Sequence, residues 1–166
     1  MVIFPSNYSN DQIDDSKKLS ESKREHLYDI IVRDALTVGI GIVEATTIDQ
    51  INILQATKLA MRLALQNLKL QPDFLMLDAV HLDDLDTPQL SLIKGDQLAL
   101  PIAAASIIAK VTRDRIMRNL HTKYSQFRFD LHKGYGTTLH LEALKKYGPI
   151  IGVHRLSYKP VKRLLP

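Results

Sequence analysis

Residues 74–82 read FLMLDAVHL. The four apolar side chains from Phe74 to Leu77 are the pattern of a buried strand, and Asp78 follows at its inner end. A buried, unpaired carboxylate is costly or takes up a proton. Something must therefore offset Asp78, and the rest of the chain is read for what that could be.

Outward from this stretch, helix and strand patterns alternate. On its N-terminal side TIDQINILQATKLAMRLALQNLKL (47–70) has the spacing of one long amphipathic helix, with Ile51, Leu54, Leu59, Leu63 and Leu65 among its apolar positions. Gln71-Pro72-Asp73 breaks it. Before it, TVGIGIVEA (37–45) reads as a strand. DDSKKLSESKREHLYDIIVRDA (14–35) contains a helix with Ser20 as its N-cap and Leu27, Ile30 and Ile31 on one face. On the C-terminal side LSLIKGD (90–96) reads as another strand. Pro101 suits the first turn of a helix running to about Tyr124. DLHKGYGTTLHLEALKKYG (130–148) is a glycine-containing loop feeding a short helix, and HRLSYKPVKRLLP (154–166) is a basic tail. The alternation predicts an α/β fold. No repeat, low-complexity tract or linker divides the chain. One domain over 1–166 is expected, with a small helical C-terminal part and basic tail from about residue 125.

The chain has 166 residues, 45% of them hydrophobic, and a formal net charge of +4. That length suits one ordinary domain. With no Cys, disulfides, thiolate metal sites and a thiol nucleophile are excluded. No apolar run approaches the roughly 20 residues of a membrane helix, and no basic-then-apolar leader opens the chain. The expectation is a cytoplasmic protein without membrane contact. The positive charge gives mild support for a polyanionic partner.

Asp78 and Asp96 each end an apolar, strand-like run, 18 residues apart. Neighbouring strand ends lie about 5 Å apart, so two carboxylates there repel unless a cation lies between them. Mg²⁺ and Mn²⁺ prefer such oxygen ligands and leave positions open for substrate phosphates. A pair of metals would clamp both oxygens of a phosphodiester displacement. The same spacing also fits a loop-capping Asp78 and an ordinary Gly-Asp turn at Asp96. In AASIIAKVTRDRIMRNLHTKY (104–124), Lys110, Arg113, Arg115, Arg118 and Lys123 lie beside an apolar face. They could be a phosphate-binding stripe or a solvated surface, with Asp114 in a salt bridge among them. Tyr135, between two glycines, suits either an aromatic stacking platform or a turn residue packed on the domain. His132, His140 and His154 lack zinc-motif spacing and read as solvent-facing or core-satisfied histidines.

Six blocks carry a resemblance: DSKKLS (15–20), LDAV (77–80), KGD (94–96), AAASIIAKVTRDRIM (103–117), HKGYGTTLH (132–140) and GVHRLSYKPV (152–161). In order and spacing they resemble the bacterial ribonuclease HII family over nearly the whole chain, from about Ile3 to Pro160. The resemblance implies a ribonuclease H-like mixed sheet flanked by helices, with a small helical C-terminal part. It implies divalent-metal hydrolysis, with Mn²⁺ or Mg²⁺, of RNA in RNA–DNA hybrids. It also implies cutting on the 5′ side of ribonucleotides embedded in DNA. Four carboxylates form the family's catalytic set. Asp78 and Asp96 match two of them as catalytic and metal-binding residues. Lys17 and Lys18 match lysines near backbone phosphates. Tyr135 matches a ring that packs on the sugar beside the ribonucleotide.

The other two family carboxylates belong to a D-E-x-G-R-G motif, which is absent from these 166 residues. MVIFP resembles the end of the strand that follows it. The resemblance therefore implies an N-terminally truncated domain without its first strand, impaired in catalysis. A non-catalytic nucleic-acid-binding fragment or a gene remnant is the alternative. Oligomeric state is left open by the sequence.

Overall fold

The computed structural model describes residues 1–165. Its elements are β1 (Val2–Ile3), α1 (Glu21–Asp34), β2 (Thr37–Val38), α2 (Ala45–Gln66), β3 (Leu75–Asp78), β4 (Gln89–Leu92), α3 (Leu100–Lys123), α4 (Phe129–His132), α5 (Thr138–Tyr147) and α6 (Lys159–Lys162). The fold is mixed α/β, rich in helix, with small sheets. The chain forms two compact units. One joins Met1–Ile42 to Lys58–Val111; the other joins Val43–Thr57 to Thr112 and the residues after it.

In the first unit α1 begins where expected. Ser20 is extended and its hydroxyl accepts the Lys23 N–H at 3.2 Å, filling one orphan donor of the first turn. Leu27 and Ile31 of α1 are fully buried with Ile13 against Ala103, Ala104, Ile107, Ile108 and Val111 of α3. Pro101 sits at the second residue of α3, where its missing N–H costs nothing.

The strands of the described residues form two small ladders. β1 pairs antiparallel with β2, Val2 opposite Val38, and β3 pairs parallel with β4, Leu75 opposite Gln89 and Asp78 opposite Leu92. No ladder joins the two pairs among the described residues. They nevertheless share a core: Ile3 packs on the cluster of Leu65, Leu68, Leu75, Leu77 and Leu82.

The strand expected over 37–45 ends after Val38. A Cβ on Gly39 would lie 2.0 Å from the Ala64 carbonyl oxygen, and one on Gly41 would lie 1.9 Å from that of Ala60. These glycines exist to let the chain lie on the backbone of α2, so the segment packs against a helix instead of continuing a ladder. The long helix is also interrupted. Asn52 adopts φ 66° and ψ 167°, and its Oδ1 accepts the N–H groups of Leu54 and Gln55 at 3.0 and 3.2 Å. Asn tolerates positive φ and caps helices well, so it ends one helix and starts the next. The second helix stops at Gln66, ahead of Pro72.

The second unit has its own core of Phe127, Phe129, Ala143, Leu144 and Val161, with Met117, Leu120 and Tyr124 of α3 packed on it. Thr137 caps α5 by accepting the His140 N–H at 3.3 Å. The carboxylate of Asp49 holds the turn before α6. It accepts the N–H of Leu156 at 2.7 Å, the N–H of Ser157 at 2.9 Å and the Ser157 hydroxyl at 2.6 Å.

Candidate functional site

β3 alternates: Leu75 and Leu77 are buried while Met76 and Asp78 face outward. The expectation that Asp78 is buried is corrected here. A strand has period two, so an apolar run ending in Asp still places that Asp on the outer face when Leu77 faces in. Asp78 needs no cation merely to be tolerated. Its Oδ1 accepts the Gly95 N–H at 3.0 Å, and Ala79, at φ 53°, ends the strand.

Asp96 is the buried carboxylate, 6% exposed. It does not end a strand. β4 stops at Leu92, Lys94 turns the chain with φ 57°, and Asp96 lies in a single 3₁₀ turn over Gly95–Gln97. The turn brings Gly95 to Asp78 and so sets the two acidic residues next to one bent segment. A Cβ on Gly95 would meet the Ile102 side chain at 2.5 Å, so a larger residue here would displace the end of Ile102.

The DSKK loop supplies the cation. Lys17 Nζ lies 3.2 Å from Asp96 Oδ2. Its hydrogen bond to Asp96 and the charges of Asp96, Asp15 and Asp78 raise the Lys17 pKa above the ordinary lysine value. The ammonium marks where a positive charge is favoured among three carboxylates. Asp15, 4% exposed, holds the loop: its Oδ1 accepts the Lys17 N–H at 2.9 Å and its Oδ2 accepts Gln97 Nε2 at 3.3 Å. Those bonds keep the Asp15 carboxyl below the usual range, against the opposing pull of desolvation. Ser16 Oγ meets Ser106 Oγ of α3 at 2.8 Å. Lys18 instead pairs with Asp14 at 3.2 Å, in the open. Asp15 was not singled out from the sequence. Its signal was an Asp two residues ahead of Lys17, the spacing of an Asx-turn.

The donors at this place are hard oxygens, the right type for Mg²⁺ or Mn²⁺. Among the described residues no group of three or more His, Cys, Asp or Glu side chains is arranged to hold a metal. Asp78 and Asp96 can supply one side of such a site.

In the second unit Tyr135 is 58% exposed, and the Arg113 guanidinium lies 4.8 Å from its ring centre. This is a cation–π distance. Gly134 has φ 80°, and a Cβ there would lie 3.0 Å from Met117 Cε, so the loop is pressed against α3. The ring is therefore displayed on a fixed loop, not packed inside. The three histidines are all buried and bonded to one another or to backbone.

The sequence profile of ribonuclease HII matches residues 6–161. The chain belongs to the ribonuclease HII family. It is 54% identical over 157 residues to a ribonuclease HII of Acetivibrio thermocellus, covering 95% of this chain and 61% of that relative. It is 52% identical over 161 residues to a ribonuclease HII of Bacillus subtilis, covering 97% and 62%. The chain thus spans about three-fifths of the length of these relatives. Its backbone is similar to the crystal structure of ribonuclease H2 from Pyrococcus horikoshii OT3, with a TM-score of 0.74 at 24% identity. The match covers 92% of this chain and 79% of that one, and it supports the fold. Among the described residues no helix is long and apolar enough to cross a membrane.

Proposed function

We propose that this chain carries part of a ribonuclease H-type endonuclease that hydrolyses RNA in RNA–DNA hybrids and cuts 5′ of ribonucleotides embedded in DNA. The observation that carries the reading is the Lys17 ammonium drawn to Asp96 within the field of Asp15 and Asp78. This place is built for positive charge. Asp78 and Asp96 would hold one side of a Mg²⁺ or Mn²⁺ ion. When bound, the ion supplies Lewis acidity at the scissile phosphate. Asp15 and Gly95 orient the two acidic segments through the bonds described above. Lys17 and Lys18 would contact the phosphate backbone of the substrate. Tyr135 stacks on the sugar beside the ribonucleotide.

Two of the four carboxylates implied by the family have no counterpart in these 166 residues. For these 166 residues taken by themselves, the second reading is a nucleic-acid binder with little hydrolysis. The test is cleavage of a duplex bearing one ribonucleotide, in Mn²⁺ and in Mg²⁺. It is run on this chain and on the chain extended upstream by a relative's D-E-x-G-R-G segment. We expect negligible turnover from the first. The second should show restored cleavage with a higher melting temperature, because an added strand would pair the open edges of the two ladders. Rapid turnover by the unextended chain, abolished by Asp78→Asn, would overturn the impaired reading. An extended chain that folds but neither binds nor cuts hybrids would overturn the nuclease reading.

A further inference from the structure

The buried histidines of the second unit form a chain of hydrogen bonds whose tautomers can be read one from the next. His132 Nε2 lies 2.7 Å from the Phe127 carbonyl oxygen, so it carries the proton, and its Nδ1 accepts the Gly134 N–H at 3.1 Å. His140 Nδ1 lies 2.9 Å from the Tyr135 carbonyl oxygen and must donate. That leaves its Nε2 as an acceptor for His154 Nε2–H at 3.3 Å. His154 Nδ1 in turn accepts the Ile150 N–H at 2.9 Å. All three rings are neutral, and every ring nitrogen has a partner. The His132 and His140 rings stack with centres 4.3 Å apart, and Phe129 meets both edge-on.

Two of these bonds fall on the backbone of the Tyr135 loop. The Tyr135 carbonyl accepts both His140 Nδ1–H and the Thr137 N–H at 2.8 Å, and its own N–H donates to the His132 carbonyl at 2.8 Å. We propose that His140, backed by His132 and His154, is a positioning residue that fixes the Gly134–Gly136 backbone and so the placement of the Tyr135 ring. The substrate part of this proposal rests on the reading of Tyr135 given above.

The arrangement tolerates no added proton. On His140 it must go to Nε2, facing the N–H of His154. On His132 it meets the Gly134 N–H, and on His154 the Ile150 N–H. Each would replace a hydrogen bond by two opposed donors. The charges acting on His140 and His154 are their own: His132 for the first, His140 and His132 for the second. On α4, Asp130 lies 3.2 Å from His121 and 3.6 Å from Arg128, and Lys133 Nζ donates to the Asp130 carbonyl. Burial lowers both His140 and His154, the latter to about 4.

The test combines ring and amide NMR of the full chain with a double-mutant binding cycle. Ring nitrogen shifts should show Nδ1–H for His140 and Nε2–H for His132 and His154. Acidification from pH 7.5 to 4 should move the Gly134, Tyr135 and Gly136 amides together with the His140 ring. His140→Leu should displace those amides at pH 7.5. His140→Asn, whose side-chain amide can still donate to the Tyr135 carbonyl, should restore them. Tyr135→Ala should weaken binding to an RNA–DNA hybrid about tenfold in the unaltered chain and less than about twofold in the His140→Leu background. Loop amides that stay in place in His140→Leu, or a measurable Tyr135 effect of equal size in both backgrounds, would overturn the proposal. A Tyr135→Ala change without effect in the unaltered chain would sink the substrate reading alone. The amide shifts would then still decide whether the histidines hold the loop.

Discussion

Lys17 and Asp96 form the ion pair at the centre of the proposed site. The pair joins a 78% exposed lysine to a 6% exposed carboxylate. A half-solvated ion pair of this kind contributes little to stability, so Lys17→Met should leave the melting temperature nearly unchanged. Its effect should appear in metal binding, because under the proposal the ammonium and the cation share the Asp96 carboxylate. Mn²⁺ should bind Lys17→Met several-fold more tightly than the unaltered chain at low salt, and Asp96→Asn more weakly, as read by paramagnetic titration. Equal affinities in all three would show that Asp96 takes no part in cation binding. At this scale Asp78, Asp96, Lys17, Lys18 and Tyr135 were legible as candidates because they stand in the motif blocks of the sequence. Which carboxylate is buried was not. Burial follows from the facing of β3 and the turn at Lys94, and both depend on neighbours distant in sequence.

The elements are held by a few backbone approaches that can be tested singly. Gly41 lies against the Ala60 carbonyl and the Ala64 N–H of α2, and helix backbone cannot yield as a side chain can. Gly41→Ala should cost about 3 kcal/mol. Gly136→Ala, with nothing within 4 Å of the added carbon, should stay within about 0.5 kcal/mol. Urea denaturation of both variants makes the comparison, and similar losses would contradict the packing account. Asp49 offers a second test. Desolvation pulls its carboxyl upward, but the Ser157 side chain and the Ser157 and Leu156 N–H groups outweigh this and hold its pKa below 3.8. A depressed carboxyl stabilises the fold above its unfolded pKa, and that stability is lost as pH falls through the lower folded value. Asp49→Ala should cost about 2 kcal/mol at neutral pH and Asn less, with the gap between Ala and the unaltered chain closing as pH falls through the lowered folded value. Helix positions were readable here from apolar spacing. The break at Asn52 and the early end of β2 were not, because an Asn cap and a glycine approach look like ordinary helix and strand residues until the partner segment is in place.

For the whole molecule the pH dependence of stability is set in part by the buried histidines. His154 titrates near 6.5 unfolded and at about 4 folded, because burial and its histidine neighbours disfavour the charge. Between those values the unfolded chain binds the proton and the folded chain does not. Stability should therefore be intact above about pH 6.5 and fall progressively toward pH 4, by roughly 2–3 kcal/mol from this residue. Urea midpoints across that range should show the slope, and His154→Phe should flatten it. A midpoint unchanged from pH 7 to pH 4.5 would contradict the assignment.

The sequence by itself determined the family, the α/β class, the capped start of α1, the extent of α3 and the residues that recur in the motifs. These depend on residue type at short spacing, which is written in one dimension. Tertiary structure alone decided that Asp78 faces outward, that Asp15 is buried and bonded to Gln97, and that the strands of the described residues form two separate ladders. It alone showed that three scattered histidines share one proton arrangement. Each of these depends on which distant segment lies opposite, and a hydrogen bond or a buried carboxylate is defined only by what it meets in space.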